Sequence, residues 1–104
     1  MKIIKCMSEK VEEELHDAEA YIDLAMAWKK DQPETADLFS ELSEEEMSHV
    51  DMLHKQVTEL ITAYREENGE PPKGMLELYN YLHEKNKQEA MRIRVKQGMY
   101  KQAE

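Results

Sequence analysis

Residues 27–39 read AWKKDQPETADLF and separate two long helical stretches. Pro33 suits the first position of a helix, because proline lacks the amide hydrogen that this position leaves unbonded. Lys29 and Lys30 suit the negative end of the preceding helix, for which Ser8 is a suitable N-cap. The pattern predicts helices over about residues 8–30 and 33–67. A turn this short favours their packing as an antiparallel hairpin.

A second break follows at residues 68–74, which read NGEPPKG. Asparagine, glycine and two adjacent prolines end helices and form loops. A third helix is predicted over about residues 75–102, interrupted only by Gly98. The expected fold class is therefore all-α, with an antiparallel helical hairpin plus a third C-terminal helix in one domain, 1–104.

The charge of the chain limits its partners. Its 104 residues carry 14 basic and 23 acidic side chains, a net charge of −9. This balance argues against nucleic acid, which needs a basic face, and against an anionic membrane surface. No apolar run reaches the roughly 18 residues of a membrane span, and no signal peptide is recognisable. The single Cys6 fits a reducing compartment, so we expect a cytoplasmic protein.

The charges are also distributed unevenly along the chain. Residues 1–74 carry 8 basic and 19 acidic side chains, whereas residues 75–104 carry 6 basic and 4 acidic ones. One interpretation is a set of solvated helix faces that differ in sign. The other is that the last segment lies against an acidic pair of helices, either in its own chain or in a partner.

Each helix of the hairpin carries an apolar stripe that polar residues interrupt. The stripe positions, at steps of three and four, are Val11, Glu14, Ala18, Tyr21, Ala25 and Trp28, then Phe39, Leu42, Glu46, His49, Leu53, Val57, Leu60 and Tyr64. A carboxylate in such a seam must be paired, protonated or bound to a metal. Glu46 and His49 can converge on one ion, and Glu14 can join them from the other helix. Oxygen and nitrogen ligands suit iron, manganese or zinc.

The Glu-x-x-His spacing by itself is weak evidence for a metal site. In a chain with 18 glutamates and four histidines, about 0.7 such pairs are expected by chance. There are two, Glu13/His16 and Glu46/His49, and only the second lies within an apolar stripe. We interpret the first pair as solvated.

In these two helices the chain resembles the ferritin-like superfamily, specifically its rubrerythrin-like branch. Residues 13–29, EELHDAEAYIDLAMAWK, are similar to a ligand helix with a glutamate, a tyrosine seven residues later and an alanine four beyond it. Residues 36–57, ADLFSELSEEEMSHVDMLHKQV, are similar to the second ligand helix, which begins Ala-x-x-Phe and contains Glu-x-x-His. The corresponding positions here are Glu14, Tyr21, Ala25, Ala36, Phe39, Glu46 and His49.

The resemblance implies a di-iron carboxylate site with ferroxidase-type or peroxidase-type redox activity. Glu14 would be a terminal ligand, Glu46 a bridging carboxylate and His49 a terminal imidazole. Tyr21 would pack against the ligands or support them. Because the chain lacks the cysteine pairs of a rubredoxin-type centre, a complete rubrerythrin cycle would need an external electron donor.

The chain departs from a complete family member, which has four helices and two ligand sets. Its third helix has no Glu-x-x-His. Glu84 is the preferred extra ligand there, with His83 beside it, and Glu89 is the alternative; a simple exposed amphipathic helix is the third interpretation. Helix three also resembles the last helix of small ferritin-like proteins from phages and other mobile elements.

Two copies of the hairpin would restore the full ligand count about a two-fold axis. We therefore expect a homodimer, or a higher oligomer of dimers, as in half-ferritins such as the encapsulated ferritins. The alternative function is a metal-free helical scaffold or interaction module, or one that holds a single structural ion.

Overall fold

A computed structural model describes residues 2–102, and the regular structure in that range is entirely helical. The helices are α1 (Lys2–Trp28), α2 (Pro33–Asn68) and α3 (Lys73–Gln102). The prediction of an all-α fold with three helices is confirmed. The bundle is elongated, with extents of 55 × 18 × 17 Å. No helix in residues 2–102 is long and apolar enough to cross a membrane.

The two breaks between the helices form where the sequence places them. Pro33 occupies the start of α2. Gly69 follows the end of α2 with a φ of 77°, and its amide donates to the carbonyl of Arg65 at 3.0 Å. A positive φ at this position favours glycine, which has no Cβ to clash with the backbone.

The start of α1 differs from the expected one. The helix begins at Lys2 rather than near residue 8, so Ser8 lies inside it and does not cap it. The buried side chain of Ile4 anchors these extra turns in the bundle. Helix α1 ends at Trp28. The amine of Lys29, the next residue, lies over the ring of Tyr100, 4.2 Å from the ring centroid.

Helices α1 and α2 form the predicted antiparallel hairpin. The hydroxyl of Ser43 donates to the carbonyl of Ala18 at 2.7 Å, and this contact is buried. Gln97 of α3 donates in turn to the Ser43 hydroxyl at 2.9 Å, which fixes α3 in the groove of the hairpin. The core residues around these contacts are Val11, Leu15, Ala18, Met47, Val50 and Ile93 in one cluster and Ile22, Ala25, Ala36 and Tyr100 in the other.

Ion pairs hold α3 along one flank of the hairpin. Basic side chains of α3 pair with acidic side chains of both other helices: Lys85–Glu12, Arg92–Glu19, Lys96–Glu19, Lys96–Asp23, Arg94–Asp51 and Lys101–Glu44. The residue numbers rise together along α1 and α3, so these two helices run parallel. Of the two interpretations of the uneven charge, the structure supports the second: the basic segment lies against acidic helices of its own chain.

Glu19 is the central carboxylate of this flank. Arg92 donates two hydrogen bonds to it at 2.9 Å, and these, with a third from Lys96 at 3.1 Å, lower the pKa of Glu19 to about 2. Because its pKa is lower in the folded state than in the unfolded one, Glu19 stabilises the fold above about pH 4.5. That stabilisation is lost as the pH falls toward 2.

Glu19→Gln is therefore expected to reduce the free energy of unfolding by about 1–2 kcal/mol at pH 7, after allowance for solvent screening. Near pH 2 the variant and the wild type should differ much less, because Glu19 is then about half protonated in the folded state and almost fully protonated in the unfolded one. Urea unfolding at the two pH values measures the difference, with the exposed Glu41→Gln as the matched control. An equal loss at both pH values would contradict this account.

Candidate metal centre

Glu14, Glu46 and His49 come together near the middle of the hairpin. One ligand atom from each side chain lies within 4.8 Å of the other two. The Nδ1 atom of His49 is 3.3 Å from Oε2 of Glu14 and 3.7 Å from Oε2 of Glu46. The antiparallel pairing of α1 and α2 thus brings Glu14 to Glu46 and His49, which lie more than thirty positions later in the sequence.

These three side chains lie at the edge of the helix–helix seam. The seam itself is filled by neighbouring residues, Leu15 of α1 and Met47 of α2, which are almost fully buried. The side chains of Glu46, Glu14 and His49 are 19%, 28% and 53% exposed. Four positions of the predicted stripes are buried as expected: Val11, Ala18, Ala25 and Val57. Beside the cluster, however, the seam runs one residue away from the predicted stripe, through Leu15 instead of Glu14 and Met47 instead of Glu46. Water reaches the cluster, so burial alone does not require a metal there.

The cluster occupies the flank of the hairpin opposite to α3. Successive residues of an α-helix turn by about 100°, so Glu14 lies about 140° around α1 from Glu19, which binds α3. The same angle of about 140° separates Glu46 on α2 from Asp51, which pairs with Arg94 of α3. No described helix of this chain covers the cluster.

Apolar side chains continue this open flank toward the turn between α1 and α2. The rings of Tyr21 and Phe39 stack at 6.3 Å between centroids with an interplanar angle of 22°. Both rings and the side chain of Leu42 are half-buried, and Trp28 beyond them is largely exposed. We call Glu14, Tyr21, Phe39, Leu42, Glu46 and His49 the ligand face. This face combines candidate metal-ligating groups with apolar side chains that remain partly exposed.

The structure does not bring Glu84 to the ligand face. Glu84 is exposed, on the side of α3 that points away from the hairpin. His83 instead stacks on His54 of α2 at 4.8 Å and on Tyr79 at 5.9 Å. The pKa of His83 is lowered mainly because the side chain is partly buried, and secondly because His54 lies nearby. The alternative candidate, Glu89, is half-buried on α3 and also lies outside the cluster.

The donor set fits a first-row divalent ion. Such ions bind carboxylate oxygen and imidazole nitrogen at about 2.0–2.2 Å, so two ligands of one ion lie at most about 4.4 Å apart. The atoms of the cluster, within 4.8 Å of one another, need only small side-chain rotations to reach that geometry. Two oxygens and one nitrogen suit iron, manganese or zinc. Three protein ligands leave coordination positions open.

Comparison of this chain with models of protein families, with curated proteins and with solved structures finds no match. The resemblance to ferritin-like proteins therefore depends on the pattern of residues in α1 and α2.

Proposed function

We propose that this chain is a ferritin-like metal-binding protein of the half-ferritin type, whose di-iron site is shared between two copies. The observation that carries the proposal is the convergence of Glu14, Glu46 and His49 within 4.8 Å on a flank that α3 leaves open. A protein of this kind would work in the cytoplasm, without nucleic acid or membrane. Manganese and zinc are the other metals that the ligands would accept.

Charge and ligand count favour pairing of two ligand faces. One face supplies three ligands, so two faces about a two-fold axis supply four carboxylates and two imidazoles. The four carboxylates carry a charge of −4, which two divalent ions neutralise. Without metal, the same four carboxylates would repel each other across the interface. Metal binding and association of the two copies are therefore coupled.

Each residue of the ligand face has a distinct part in this arrangement. By the resemblance to ferritin-like proteins, Glu46 would be the carboxylate shared by the two ions, and Glu14 and His49 would be terminal ligands. Glu46 is also the least exposed of the three side chains. Tyr21 and Phe39 would become buried in the interface and exclude water from one side of the site. Iron held there would supply ferroxidase-type or peroxidase-type chemistry, with electrons from an external donor.

Sedimentation equilibrium during anaerobic addition of Fe(II) tests this coupling. We expect the mass of the sedimenting species to double as iron binds, because each ion needs ligands from two copies. Magnesium is the matched control, since it prefers oxygen ligands and retains much of its water. Iron bound by a species that keeps the mass of one chain would overturn the shared site.

A second function, an interaction module without a catalytic metal, is favoured by one specific contact. The Nδ1 atom of His49 lies within 3.7 Å of both carboxylates and at hydrogen-bond distance, 3.3 Å, from Glu14, so the imidazole can link the two helices at the cluster without a metal. The ligand face would then bind a partner through its apolar side chains. Such a protein should tolerate the loss of Glu46, or be stabilised by it, because a partly buried carboxylate would be removed.

A further inference from the structure

Two histidines face each other across the boundary between α2 and α3. The rings of His54 and His83 lie 4.8 Å apart between centroids, with an interplanar angle of 18°. Tyr79, one turn before His83 on α3, stacks on the same imidazole at 5.9 Å. His83 is half-buried and His54 is exposed, so solutes can reach the pair from solvent. Neither histidine belongs to the ligand face, which lies on the flank that α3 leaves open.

A cavity of about 320 Å³ lies beside the two imidazoles. All three helices line it: Val11 comes from α1, Val50 and His54 from α2, and His83 and Asn86 from α3. The outermost torsion of a histidine side chain has broad energy minima, so each ring can turn toward this space. The cavity therefore has room for an ion and for the water molecules that complete its coordination shell.

We propose that His54 and His83 bind one zinc ion between α2 and α3. Zinc binds imidazole nitrogen at about 2.0–2.1 Å, so two nitrogen ligands of one ion lie at most about 4.2 Å apart. The ring centroids are 4.8 Å apart, and each nitrogen lies on the rim of its ring. Rotation of the two rings toward the cavity brings one nitrogen from each within this limit.

Two protein side chains define the site. Asp51 lines the same cavity, one turn before His54 on α2, but its carboxylate pairs with Arg94 at 3.3 Å. The cluster of three ligating groups within 4.8 Å that residues 2–102 contain is the one at the ligand face, so we do not count Asp51 as a ligand. With about half the free energy of a four-ligand zinc site, we expect a dissociation constant on the order of 10 µM.

The donor atoms distinguish this site from the ligand face. The histidine pair offers two nitrogens, whereas the ligand face offers two carboxylates and one imidazole. Fe(II) lies near the weak end of the affinity order of divalent ions, and two ligands hold it less firmly than the six of the proposed shared site. Iron that remains after desalting is therefore expected at the ligand face and not between His54 and His83.

An ion at this position would clamp the first part of α3 to α2. The buried residues of α3 are Ile93, Gln97 and Tyr100, which all lie in the last third of the helix. Residues 73–92 contain no buried side chain. A segment with few buried contacts opens locally at a low free energy. Zinc bound to His54 and His83 would stabilise the closed form of this segment.

NMR signals of the imidazoles during addition of zinc to the metal-free protein test the site. The chain has four histidines: His54 and His83 report the proposed site, His49 the ligand face and His16 the exposed surface of α1. We expect the signals of His54 and His83 to shift together, with one dissociation constant, while that of His16 stays unchanged. No shift of the pair up to about 200 µM zinc, or a shift of only one of the two, would overturn the proposal, whatever His49 shows.

The variant His83→Gln tests whether one ion is shared by both histidines. Loss of one ligand should weaken the zinc-dependent shift of His54 by more than about tenfold. His16→Gln is the matched control and should leave that shift unchanged. A shift of His54 that survives His83→Gln would overturn the shared ion.

Hydrogen exchange of the amides of residues 76–90 tests the clamp. At a zinc concentration ten times the dissociation constant, exchange of the wild type should slow by about tenfold. His83→Gln should show no such slowing, and His16→Gln should behave as the wild type does. Unchanged exchange of the wild type at this zinc concentration would overturn the clamp.

Discussion

Glu46→Ala is expected to weaken iron binding strongly and to remove most of the thermal stabilisation that iron provides. Glu46 is the most buried of the three candidate ligands, and in the proposed site it would be shared by both ions, so its loss would remove a ligand from each. The loss of a bridging ligand should weaken binding by about 100-fold or more. At an iron concentration 100 times the wild-type dissociation constant, bound iron stabilises the wild type by about 2.7 kcal/mol, whereas a site weakened 100-fold gains only about 0.4 kcal/mol.

Thermal unfolding with and without Fe(II), under anaerobic conditions, measures this effect. Glu45→Ala is the matched control, because it removes an exposed carboxylate from the position directly before Glu46. This variant should retain the iron-dependent stabilisation. In the absence of iron, Glu46→Ala should be as stable as the wild type or more stable, since like charges near Glu14 are reduced. Full iron binding by Glu46→Ala would favour the interaction module instead.

Ile93→Ala is expected to reduce the free energy of unfolding by about 2–4 kcal/mol. Ile93 is 1% exposed and belongs to the core cluster of Leu15 and Met47, so its truncation leaves a cavity beneath α3. Iron binding should persist in this variant, because α3 lies on the flank opposite to the ligand face.

Equilibrium urea unfolding and iron content measure the two consequences of Ile93→Ala separately. Met52→Ala, at a residue that is 69% exposed, is the matched control and should change stability by less than about 0.5 kcal/mol. A loss below about 1 kcal/mol would contradict the position of α3 in the core. Loss of iron at a temperature where the variant stays folded would contradict the separation of α3 from the metal centre.

The order of the helices could be predicted because local signals determine it. Pro33 and Gly69 act through backbone constraints that do not depend on the rest of the fold. The predicted start of α1 near residue 8 is wrong. Ser8 is a good capping residue and so indicates a helix start there, but tertiary contacts extend the helix further. Burial of Ile4 against the bundle extends the helix to Lys2, and no local pattern reports that contact.

The convergence of Glu14, Glu46 and His49 could also be predicted, but their position at the exposed edge of the helix–helix seam could not. The steps of three and four in α1 and α2 identify Glu14, Glu46 and His49 as residues of facing stripes. Near the cluster, the buried seam passes through Leu15 and Met47, each one residue after a predicted stripe position. The apolar face of a helix spans about 100° or more, so the sequence pattern does not specify which edge of that face is buried.

The packing of α3 against α1 corresponds to a spacing of charged residues in the sequence, which can be recognised once the ion pairs are known. The acidic residues that α1 offers to α3 are spaced by seven and then four positions, and so are their basic partners: Glu12, Glu19 and Asp23, and Lys85, Arg92 and Lys96. Equal spacing of opposite charges on two helices predicts parallel packing in register. Net charge alone could indicate attraction between the segments, but not this register.

Iron bound per chain, after anaerobic loading with Fe(II) and desalting, tests the shared metal centre most directly. The account predicts about one iron per chain, since six ligands from two copies would hold two ions. The same sample should sediment at twice the mass of the metal-free protein at equal concentration. Two irons per chain would mean that one copy completes the site by itself, and no bound iron would contradict the di-iron function.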